Sequence, residues 1–160
     1  MLLGPTAKKL QDVGVQTLAI VASKAERARF FFRFRPVSYP VGADPDLITH
    51  RAYGVPQSPV TPEIWQAVLS AYGNLARELQ LQVPESKARD AVDRLDGFEV
   101  TESENAEFQR HQIQFTGQFL VDRDGIVRWT NIECARDGLA SVAKFPTDEE
   151  LLAAARALSK

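Results

Sequence analysis

Eight consecutive residues, Val15-Gln16-Thr17-Leu18-Ala19-Ile20-Val21-Ala22, constrain the fold of this chain more than any others. The run is almost wholly apolar and rich in β-branched side chains. It suits a strand covered on both faces, the usual state of a strand in a parallel sheet. Ser23-Lys24-Ala25-Glu26 follows at once and has the spacing of a capping box, in which a hydroxyl and a carboxylate satisfy each other's backbone amides. The spacing therefore predicts a helix from about Lys24 to Phe34. A strand that passes so abruptly into a helix is half of a βαβ unit. Pro36 and Pro40 end the helix and hold Val37 to Val41 extended. Asp44-Pro45-Asp46 then reads as an N-cap, a first helical residue and the opening of a short helix that Gly54 stops near Tyr53.

The rest of the chain completes an alternating pattern. Leu2 to Asp12 has helical spacing at Leu3, Ala7 and Leu10 and stops at Gly14. Thr61-Pro62-Glu63 opens an amphipathic helix whose apolar stripe is Ile64, Trp65, Val68, Leu69, Tyr72, Leu75, Ala76 and Leu79. Gly73 inside it costs about 1 kcal/mol relative to Ala, enough to allow a break. Pro84 opens a second helix up to Leu95, and Glu102 to Gln112 forms a third. Gly117 to Asp122 and Gly125 to Ile132 are strands joined through Arg123-Asp124-Gly125, an Asp-Gly hairpin signal. Thr147 to Glu150 is another capping box, and the helix after it buries Leu151, Leu152, Ala155 and Leu158. A parallel βαβ start, a hairpin and a closing helix predict an α/β sandwich, in the order of a thioredoxin fold without its first strand.

Composition removes several alternatives. A chain of 160 residues supports one domain of about this size, here residues 1–160 with a helical insertion at about 56–116. The formal net charge is −2, so no electrostatic excess points to nucleic acid. Lys24, Arg27, Arg29, Arg33 and Arg35 do cluster on one helix with four phenylalanines, and the expectation is Phe on the sheet and Arg in water. No apolar run is long enough to span a bilayer, and Met1-Leu2-Leu3-Gly4-Pro5 lacks the features of a signal peptide. The single cysteine, Cys134, cannot form an intramolecular disulfide, and the expected location is the cytoplasm. His50 and His111 are the only histidines and lie far apart in sequence, so no metal-ligand spacing appears. Phosphate-binding glycine loops and the Gly-x-Ser-x-Gly nucleophile elbow are also missing, and no cofactor or metal is expected.

Three segments carry a family resemblance. Gly14 to Ser23, Tyr39-Pro40-Val41-Gly42-Ala43-Asp44-Pro45-Asp46 with Ala52-Tyr53-Gly54-Val55, and Phe119-Leu120-Val121-Asp122-Arg123-Asp124-Gly125-Ile126-Val127-Arg128 occur in one order. Together they resemble the peroxiredoxin-like family, the alkyl hydroperoxide reductase and thiol-specific antioxidant (redoxin) domains. The resemblance covers roughly residues 1–55 and 116–160. It implies a thioredoxin-like α/β sandwich and a thiol peroxidase chemistry. In that chemistry a cysteine thiolate at a helix N-terminus attacks a peroxide oxygen, becomes a sulfenic acid and is resolved by a second thiol.

The family's site residues do not carry over. No cysteine precedes Cys134, and Thr116 stands where the family places its peroxide-binding arginine, three residues before Phe119. The first core strand and the reactive-cysteine loop have no counterpart in the sequence. Thr116 is then a residue on the rim of the ancestral site. Cys134 is the remaining thiol, with Arg128 and Arg136 near it in sequence to lower its pKa, although a small inert residue is the plainer expectation. The implied activity is a thiol-dependent antioxidant oxidoreductase that is catalytically incomplete, and a non-catalytic binding or assembly module is the alternative. The implied partners are a thiol electron donor or a second copy of the chain, with neither nucleic acid nor membrane expected.

Overall fold

The computed structural model describes residues 3–158, so Leu2, the expected first residue of the N-terminal helix, lies outside the described residues. The chain forms two compact units, one from residues 1–55, 116–132 and 145–160, the other from residues 56–115 and 133–144. Helices are mixed with three two-stranded sheets. Among the described residues no helix is long and apolar enough to cross a membrane.

The first unit contains α1 (Leu3–Asp12), β1 (Ala19–Val21), α2 (Ala25–Phe34), β2 (Val41–Ala43) and α3 (Ile48–Ala52). The β1–α2–β2 segment is a parallel unit, with Ala19 opposite Val41 and Val21 opposite Ala43. Gly42 lies close to the Ile20 side chain, where a Cβ would stand 2.7 Å from Ile20 Cδ1 and shift the end of that side chain. The eight-residue apolar run yields only three paired residues, and all three are half-buried rather than covered on both faces. The capping box expected at Ser23 does not form. Lys24 is the extended residue before α2, no side chain caps the helix, and the Ser23 amide instead closes a turn onto the Val21 carbonyl at 2.8 Å.

The same unit holds a β-hairpin of its own. Its strands, which follow two short strands of the second unit, are β5 (Gly117–Val121) and β6 (Val127–Ile132), and α7 (Asp148–Leu158) closes the chain. The hairpin is antiparallel with an irregularity between Leu120 and Val121. Gly125 holds the turn at φ +81°, in the left-handed region that glycine enters without steric cost. Asp122 Oδ1 accepts the amides of Asp124 and Ile126, each at 2.9 Å, and Arg128 Nε donates to Asp122 Oδ2 at 2.6 Å. The core of the unit is Leu10, Leu120 and Ala155, with Val13, Trp129, Leu151 and Leu158 packed against it. Thr6 donates to Asp148 Oδ1 at 2.6 Å, which joins α1 to the start of α7. Thr147 and Glu150 form the expected capping box.

The second unit contains β3 (Gln57–Ser58), α4 (Pro62–Glu78), α5 (Ala88–Asp93), α6 (Glu102–His111) and β4 (Ile113–Gln114). β3 and β4 pair antiparallel. Thr61 Oγ1 caps α4 by accepting the Ile64 amide at 3.3 Å, with Pro62 at the first helical position. The helix runs unbroken through Gly73, which is buried beside the Glu85 side chain. Part of the apolar stripe packs inside its own unit: Ile64 is buried, Trp65 lies 6.3 Å from the Phe108 ring, and the Tyr72 hydroxyl donates to Asp93 at 3.0 Å.

Candidate functional site

Cys134 follows the buried Glu133, whose Oε1 accepts the Ala143 amide at 2.7 Å. The cysteine is half-buried and sits at φ +63°, an uncommon backbone for a residue other than glycine. Burial pushes its thiol up, the Glu133 carboxylate pushes it further, and a hydrogen bond with Ser141 only partly opposes them. The expected help from arginine is not delivered. Arg128 is committed to Asp122, and neither Arg128 nor Arg136 contributes to the shift. A reactive cysteine needs a cation, a helix N-terminus or a metal to hold its thiolate. Cys134 has a carboxylate neighbour instead, so it remains a protonated thiol at neutral pH.

Thr116 is exposed and directly precedes β5. It belongs to the first unit and Cys134 to the second. Around the following glycine the backbone is closely packed, since a Cβ on Gly117 would stand 2.6 Å from Val55 Cγ2 and 2.7 Å from the Phe119 ring. The Phe119 ring meets Tyr53 edge-on at 4.8 Å between centroids.

Each histidine is paired with a carboxylate in its own unit. Asp44 is buried, and its carboxylate accepts the amides of Ile48 and Thr49 at 2.8 Å and of His50 at 3.3 Å. His50 Nδ1 lies 3.3 Å from the same carboxylate. Desolvation acts to raise the Asp44 pKa, but the Ile48 amide, the His50 ring and the remaining amides outweigh it and hold the carboxyl below its usual range. This is a capping role displaced from the expected one. Leu47, buried and left-handed at φ 55°, stands between Asp44 and the helix. In the second unit His111 is buried with Nε2 3.2 Å from Glu107 Oε2, off the hydrogen-bond direction. Gln57 Nε2 donates to the His111 carbonyl at 2.5 Å. Among the described residues no group of three His, Cys, Asp or Glu side chains is placed to hold a metal ion.

The arrangement thus offers acid-stabilised turns and caps, a protonated thiol and two histidine–carboxylate contacts. No activated nucleophile stands among these groups. The sequence reading missed the Thr101–Glu104 capping box at the start of α6, although its Thr-x-x-Glu spacing is plain. It also missed Asp122 as the acceptor that organises the hairpin turn. Compared with known protein families, curated proteins and solved structures, the chain matches none.

Proposed function

We propose that this chain is a peroxiredoxin-like protein that uses a thioredoxin-like scaffold without its own peroxidatic thiol, and works as a binding or assembly module. The order of a parallel β1–α2–β2 unit, a β5–β6 hairpin and a closing helix α7 supports that reading, although β1–β2 and β5–β6 form separate two-stranded sheets. The observation that carries the functional reading is the state of Cys134. The one thiol in the sequence is half-buried beside Glu133 and held protonated, the reverse of what peroxide attack requires. The cytoplasm is the compartment that suits a single unpaired cysteine. A second copy of the chain is the partner this reading favours, and a thiol donor enters only if Cys134 turns over.

Peroxide consumption in the presence of a small-molecule dithiol tests the proposal. Wild type and Cys134→Ser should both leave hydrogen peroxide and an alkyl hydroperoxide at the rate of the dithiol alone. Rapid turnover by wild type that disappears in Cys134→Ser would overturn it and make Cys134 the nucleophile.

A further inference from the structure

A cavity of about 350 Å³ opens between α2, β2 and the segment that links them. Its walls are Ala28 and Phe32 of α2 facing Val37 and Val41. Ala28 puts only a methyl group on this wall. Pro36 and Pro40 fix the backbone on either side of the linking segment, so it resists collapse onto the helix. The volume lies at the lower end of the range for small-molecule sites, which pair apolar walls with a few convergent polar groups.

The lining also includes two polar side chains, Arg29 and Tyr39. Arg29 is exposed, and among the described residues no carboxylate pairs with its guanidinium. Tyr39 is half-buried, and its hydroxyl makes no hydrogen bond among the described residues. Burial raises the Tyr39 phenol, which keeps it a neutral donor. A permanent cation and a hydroxyl donor on apolar walls select an anion with a hydrocarbon body. A planar carboxylate matches the guanidinium fork better than a point charge would.

We propose that this cavity binds a small monocarboxylate with an alkyl or aryl body, its carboxylate on Arg29 and Tyr39 and its hydrocarbon between Phe32, Val37 and Val41. The site is independent of the thiol reading and stands whatever Cys134 does.

Titration of the full chain with octanoate, followed by amide chemical shifts and calorimetry, tests the site. Octanamide serves as the uncharged match. Octanoate should bind saturably and shift the amides of Ala28, Phe32, Val37 and Val41. Octanamide should bind wild type about tenfold more weakly, and octanoate should bind Arg29→Gln about tenfold more weakly than wild type, the scale of one charge-assisted hydrogen bond. Ala28→Leu should abolish binding by filling the space. Arg29→Gln alters an exposed side chain, so its fold should survive, and it decides the matter alone if Ala28→Leu does not fold. Absence of saturable octanoate binding to wild type would overturn the proposal. So would an affinity for octanoate unchanged in Arg29→Gln, which would reveal adsorption on exposed apolar surface.

Discussion

At the scale of single residues, carboxylates organise several of the turns and helix starts of this chain. Asp44, Asp122, Asp148 and Glu150 all have depressed pKa values. Asp44 and Asp122 do so through backbone amides opposed by desolvation, Asp148 through Lys9 and Thr6, and Glu150 through Thr147. A carboxyl with a folded pKa below its unfolded value adds stability above the unfolded pKa of about 4 and loses it as pH falls through the folded pKa. Asp44 gives the sharpest test, because its carboxylate receives three amides and a histidine ring. Asp44→Asn should lower the thermal midpoint at pH 7, and the gap to wild type should begin to narrow below about pH 4 and close as pH falls through the depressed folded pKa, where wild type also loses the charge. A gap that persists unchanged at low pH would show that shape, not charge, is what Asp44 supplies.

At the scale of elements, α4 shows how local preference and packing interact. Gly73 adopts helical backbone in mid-helix, where glycine costs about 1 kcal/mol relative to alanine. A Cβ there would lie 3.4 Å from Glu85 Cγ, and Glu85 is an exposed, flexible side chain that can move aside. Gly73→Ala should therefore stabilise the second unit by about 0.5–1 kcal/mol, measured as a shift in denaturant midpoint at constant slope. Destabilisation would mean that Glu85 is fixed against the helix. Helix positions were largely legible in the sequence because apolar spacing and proline punctuation are local signals. Thr147–Glu150 was legible for the same reason. Ser23–Glu26 had equal spacing and failed, because the Ser23 amide is drawn into a turn with Val21 and the helix starts one residue later. Asp44 was recognisable as a cap, but not the insertion of Leu47 between cap and helix, since burial of that side chain is a tertiary effect. Cys134 was ambiguous in sequence because an arginine, Arg136, and a carboxylate, Glu133, both lie within two residues of it. Only the geometry sets Glu133 against the thiol.

At the scale of the molecule, the strand run Val15 to Ala22 asks for a covered, paired interior position and receives pairing on one side. Ala19 donates to Pro40 and Val21 accepts from Asp44, so both face β2. Ile20 lies between them, and strand alternation turns its amide and carbonyl to the opposite edge. β1 pairs only with β2 and β5 only with β6 among the described residues, so the run does not close onto the hairpin. Leu18, just before β1, is 62% exposed. An apolar strand with an open edge is a template for pairing with another chain, and it loses the ladder bonds that hold an interior strand. The isolated chain should be marginally stable, toward the lower end of the usual range of about 5–15 kcal/mol. Hydrogen exchange at low concentration tests this directly. The Ile20 amide should exchange promptly and Val15 to Ala22 should be less protected than β5 and β6, because an edge amide opens without breaking a core. Leu18→Lys should raise the concentration at which the chain aggregates while changing stability by no more than about 0.5 kcal/mol, as for other surface substitutions. Protection of the whole run at the level of the hairpin in a dilute monomer would show that the sheet is complete as it stands, and the open edge would then have no part in association.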